Sequence, residues 1–146
     1  MKRFLNTKVW LTIVGLLASL GSVVAIVGGW AVDMAPDYWD RDLTPFETDM
    51  ASVIELVWVA HVTFIGVIIL AIGLMASERL RARLGAIAIG SFGGSQLLAG
   101  GLASGYGYQF ADGAAAGAPF FAVTVLGLAA CFANWNAAPA PAAVDR

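Results

Sequence analysis

Residues 50–76 read MASVIELVWVAHVTFIGVIILAIGLMA. A helix crosses the hydrocarbon core of a bilayer with roughly 20 apolar residues. This run exceeds that length, with only Glu55 and His61 ionisable inside it. Three comparable runs accompany it, at 9–32, 84–104 and 115–135. The pattern predicts an all-α membrane protein: an antiparallel bundle of four transmembrane helices forming one domain over residues 1–137. A Pro/Ala-rich tail at 138–146 is expected to be disordered and cytoplasmic.

Composition agrees. The chain has 146 residues, 60% of them hydrophobic and 12% charged. Soluble domains carry about 25% charged residues, so an ordinary soluble domain is excluded. Net charge is −2, without a basic block that would suggest nucleic acid. The lone cysteine, Cys131, falls in the fourth run, where it reads as a small apolar core residue without a disulfide partner. The start, MKRFLNTK, resembles the head of a signal peptide. The apolar stretch behind it continues to Val32, well beyond the ~7–15 residues of a signal core, so a retained first span is expected.

Positive charge sets the expected orientation, because cytoplasmic loops hold the excess of Lys and Arg. Lys2, Arg3 and Lys8 precede the first run, and Arg79, Arg81 and Arg83 fill the second gap. The first gap has only Arg41 and the third has no basic residue. Both termini are therefore expected inside and the first and third gaps outside. Trp10 and Trp135 would mark the inner interface. Trp30, Tyr38, Trp39, Tyr106 and Tyr108 would mark the outer one. In topology and size alone the chain resembles the small four-span bacterial inner-membrane proteins, DoxX-like ones among them. That likeness implies a location in the inner membrane and transfers no residue role.

Helices in lipid associate through close backbone approach and polar contacts. Small residues at helical spacing therefore predict seams: Gly15, Ala18, Ser22, Ala25 and Gly29 in the first span, and Ala86, Gly90, Gly94, Gly101 and Gly105 in the third. A shift of 72 residues aligns Ser19, Gly21, Gly28, Gly29 and Ala31 with Ser91, Gly93, Gly100, Gly101 and Ala103. Duplicated hairpins or biased composition would each produce that match.

Ionisable groups inside a membrane are functional candidates by default. Glu55 lies shallow in the second span, on the face of Val59, Val62, Gly66 and Gly73. His61 lies deeper, at a depth similar to that of Gln96 in the third span, and a His61–Gln96 hydrogen bond would satisfy both. Glu55 and His61 stand about 120° apart on a helix of 3.6 residues per turn, which disfavours a joint acid–base pair. No cofactor is called for by any motif. A single axial histidine, His61, could still hold a tetrapyrrole, a chlorophyll-type pigment or a haem with its second ligand from another subunit.

The first gap, DMAPDYWDRDLTPFETDM, mixes carboxylates with aromatics. It lacks the central glycine and terminal glutamate of an EF-hand loop. Tyr38, Trp39, Asp40 and Asp42 are the side chains a docking surface uses. Thr44-Pro45-Phe46-Glu47 has the form of a capped helix start, expected to open a short helix in this gap. HExxH, GxSxG, P-loop and GxGxxG motifs do not occur. Two functions follow as expectations. One is a non-catalytic accessory or scaffold subunit, with the bilayer and other membrane subunits or further copies as partners. The other is a bundle that binds or transports a lipid, quinone or pigment through Glu55, His61 and Gln96.

Overall fold

The computed structural model describes residues 4–109 and 117–137. The described chain is helical: α1 Thr7–Val27, the one-turn α2 Trp30–Asp33, a 3-10 turn Ala35–Tyr38, α3 Pro45–Met75, α4 Glu78–Ser104 and α5 Ala118–Ala133. Three of these, α1, α3 and α4, are long and apolar enough to cross a membrane. The fourth expected span comes out shorter. α5 has 16 residues, about 24 Å at 1.5 Å per residue, against a core of roughly 30 Å. Residues 115 and 116 of that expected span, with the tail 138–146, lie outside the described residues.

Boundaries moved for local reasons. α1 starts at Thr7 because Asn6 caps it, its side chain accepting from the Val9 amide. It stops at Val27, short of the expected Val32, because Gly28 and Gly29 follow and Gly29 takes a left-handed φ of 79°. The helix start at Thr44 is real but opens α3 itself rather than a separate short helix. Thr44 and Glu47 form a complete capping box, with Pro45 in the first turn. The arginines of the second gap are helical, not loop. α4 begins at Glu78, and Arg81 reaches back to Glu78 and to the Ala76 carbonyl. The α3–α4 connection thus shrinks to Ala76 and Ser77.

α1 packs most extensively on α3, and α4 on α5. The α1–α3 seam depends on absent side chains. A Cβ on Gly15 would meet the Leu70 backbone at 2.6 Å, and one on Gly73 would meet Leu11 at 3.1 Å. The core joining all four long helices contains Leu11, Val14, Ile69, Ala86, Ile89 and Cys131. Thr7 Oγ1 donates to the Ala130 carbonyl and Asn134 Nδ2 to that of Leu5, tying the chain's first and last described helices together at one end. At this end Arg83 lies over Trp135, 5.6 Å from the ring centroid.

The expected α1 stripe is buried at Gly15, Ala18 and Ser22. The expected α4 stripe is mostly not. Gly90, Gly94 and Gly101 have nothing within 4 Å of a built Cβ. Ala86 of that stripe is buried, but with Ala82, Gly85, Ile89, Phe92, Gln96 and Gly100 rather than with those glycines. The 72-residue match has no structural counterpart, since Gly28 and Gly29 end a helix while Gly100 and Gly101 lie within one.

Candidate functional site

A cavity of about 430 Å³ opens at the end of the bundle that carries the loops 28–44 and 105–109. Three elements and both loops build it. α3 supplies Ile54, Glu55 and Trp58, which share one face at helical spacing. α4 supplies Gln96 together with Ala99, Gly100 and Ala103, and the smallness of these last three leaves the space. Phe121 comes from α5, Tyr38 and Trp39 from the first loop, and Tyr108 from the second.

The loops close on each other by a short backbone bridge. Trp39 and Tyr108 pair in antiparallel fashion. The Asp40 amide donates to the Gly107 carbonyl at 2.9 Å and the Gln109 amide to that of Tyr38 at 2.6 Å. Gly107 makes the turn with a φ of 90°, a conformation that suits glycine. Gln109 Nε2 adds a bond to Asp40 Oδ1 at 3.1 Å. The rings follow the backbone: Tyr108 stands 5.8 Å from Tyr38 and 5.7 Å from Trp39, centroid to centroid, the latter pair edge-to-face.

The Tyr108 hydroxyl donates to Glu55 Oε1 at 2.7 Å. This fixes a loop to the middle of the wall and leaves Oε2 without a protein partner among the described residues. Burial and the neighbouring Glu55 carboxylate raise the Tyr108 phenol well above its ordinary range, so it stays a donor. Tyr38 is raised too, by burial first and then by the charges of Glu55 and Asp37.

Gln96 is 7% exposed and forms no side-chain hydrogen bond with the described residues, although it lines the cavity. Helical hydroxyls nearby are self-sufficient: those of Ser95, Thr63 and Thr124 donate to carbonyls of their own helices. A primary amide at Gln96 has two donors and an acceptor to satisfy, so its open bonding capacity is directed into the cavity.

Glu55 and Gln96 are therefore brought to one site, and His61 is not. The expected His61–Gln96 bond is not formed. The buried face of α3 is set by Ala51, Gly66, Ile69 and Gly73. His61 lies on the opposite stripe, exposed with Val57, Phe64 and Ile68. Tyr38 and Trp39 are half-buried and turned onto Tyr108 and the cavity, while Asp40 and Asp42 remain exposed. Sequence reasoning missed Trp58, Tyr108 and Phe121 as wall residues. Trp58 was signalled by its place three residues after Glu55. The groove was signalled by small residues three, four and seven positions after Gln96. Among the described residues no group of three or more His, Cys, Asp or Glu could hold a metal ion. No protein-family model matches the chain, and comparison with curated proteins and with solved structures gives no match.

Proposed function

We propose that this protein is a four-span membrane bundle that binds a small amphipathic molecule in the cavity between α3, α4 and α5. The observation that carries the reading is the mostly apolar cavity itself, onto which Gln96 opens an amide that has no partner among the described residues. The amide is open to the cavity, so a ligand's polar end can bond to it while its apolar part meets Trp58 and Phe121. Ligand sites combine an apolar wall with a few convergent polar groups in this way. Among the described residues that line the cavity no nucleophile, base and electrophilic site come together, and we read the geometry as suited to binding or transport.

The test is native mass spectrometry of protein extracted from membranes in a mild detergent. Wild type should carry a small-molecule adduct that Ala103→Phe, which fills the cavity from α4, removes. A bare wild-type protein, or an adduct that Ala103→Phe leaves in place, overturns the reading.

A second reading, as an accessory subunit of a larger membrane complex, is favoured by two other observations. His61 sits mid-helix on the outer face of α3, where a polar group in a membrane calls for a partner. Gly90, Gly94 and Gly101 leave α4 open to close approach by another helix. In this reading both termini and the Ala76–Ser77 connection are cytoplasmic, in a bacterial inner membrane.

A further inference from the structure

We infer that the cavity selects an organic cation bearing apolar groups. The inference deepens the proposed binding function and rests on it. The wall contains one carboxylate, Glu55, and no Lys or Arg. Five rings surround the same space, those of Tyr38, Trp39, Trp58, Tyr108 and Phe121. Aromatic walls attract cations through the negative faces of their π systems and are the usual means of holding a quaternary ammonium. A carboxylate among them supplies the counter-charge.

The polar details agree. Tyr108 occupies one Glu55 oxygen and holds the carboxylate in place, while the other has no protein partner. Arg41, the one basic residue of the first loop, is already committed to Glu47 at 2.6 Å. Gln96 adds a neutral acceptor through its carbonyl oxygen, positioned where the amide has no competing bond. On the loop that carries Tyr38 and Trp39, Asp37, Asp40 and Asp42 are exposed. Their charge raises the local concentration of cations and lowers that of anions. An anionic ligand would meet Glu55 without a compensating base. A neutral quinone would leave the Glu55 carboxylate without a counter-charge. An alkyl- or aryl-substituted ammonium or phosphonium meets both demands. A free amphipathic cation and the ammonium headgroup of a lipid share this chemistry.

The experiment is equilibrium dialysis of the full chain in dodecyl maltoside against tetraphenylphosphonium and its anionic counterpart of the same shape, tetraphenylborate. Wild type should bind the phosphonium saturably and the borate not at all. Glu55→Gln should weaken phosphonium binding by roughly tenfold or more, as loss of a partly buried counter-charge implies. Asp49→Asn, which removes an exposed carboxylate outside the cavity wall, should retain binding; this separates the role of Glu55 from a general loss of negative charge. An unchanged elution volume and helical circular dichroism establish that each variant is folded. Displacement of the phosphonium by added phosphatidylethanolamine would assign the site to a lipid headgroup, and its failure to displace would assign it to a free cation. Equal binding of both ions, with both lost in Ala103→Phe, would overturn cation selectivity while the cavity's binding function survives. Saturable phosphonium binding unaffected by Glu55→Gln would overturn the inference as well. Absence of binding by either ion would also overturn it, and the adduct experiment would then decide the binding function by itself.

Discussion

A Cβ placed on Gly66 would lie 2.6 Å from the Ser19 backbone nitrogen and 2.8 Å from the Ala18 side chain. On Gly94 it would meet nothing within 4 Å. The same substitution should therefore have opposite consequences at the two positions. Gly66→Ala must push α1 from α3 along their main seam and should cost about 1–3 kcal/mol, the usual range for overpacking. Gly94→Ala should cost nothing and gain up to about 1 kcal/mol of helix propensity. Unfolding followed by circular dichroism during titration with dodecyl sulfate checks both. The larger Gly94→Leu tests the subunit reading at the same site. It should leave the fold intact and, if α4 docks on another helix, reduce the size of the complex extracted in mild detergent. An unchanged complex would remove α4 from that reading.

α3 illustrates what was legible at the level of the element and what was not. Its apolar length and its cap were both readable. Thr44, Pro45 and Glu47 are a local signal, and in the capping box the Glu47 amide donates to Thr44 Oγ1 while the Thr44 amide donates to the Glu47 carboxylate. Thr44→Ala should cost about 1 kcal/mol, the common loss of a cap, and should show as faster amide exchange at Glu47 and Thr48 with the middle of α3 unchanged. The continuity of the cap with the span was harder to see, because acidic residues up to Asp49 looked like loop. They are the first turns of one helix of 31 residues. The break after α1 was hidden for the converse reason: Gly28 and Gly29 sit inside an unbroken apolar run, and a left-handed Gly29 has no hydropathy signal. The candidate site divided in the same way. Glu55 and Gln96 stood out as polar residues in apolar helices. Their true neighbours, Trp58, Tyr108 and Phe121, depend on which faces meet and on a bridge between loops about 70 residues apart, which residue spacing along one helix does not specify.

For the whole molecule, the loops that close the cavity and the Ala76–Ser77 connection lie at opposite ends of α3. The proposed orientation then has a direct check in intact cells, in a chain with Cys131→Ser. A single cysteine at Thr44 should react with an impermeant reagent, and one at Ser77 should react only after the cells are opened. The reverse pattern would invert the bundle and turn the cavity toward the cytoplasm. The bridge between Trp39 and Tyr108 ties the two loops together beside the cavity, and Tyr108 ties the pair to Glu55. That arrangement has an optical consequence. Two of the chain's five tryptophans, Trp39 and Trp58, line the cavity. Trp10, which donates to the Phe4 carbonyl, and Trp135, which stacks on Phe132, sit elsewhere. Trp30 is exposed. The protein thus carries its own fluorescent gauge: an occupant that quenches indoles would dim Trp39 and Trp58 and leave the emission of the other three unaltered, with no label attached.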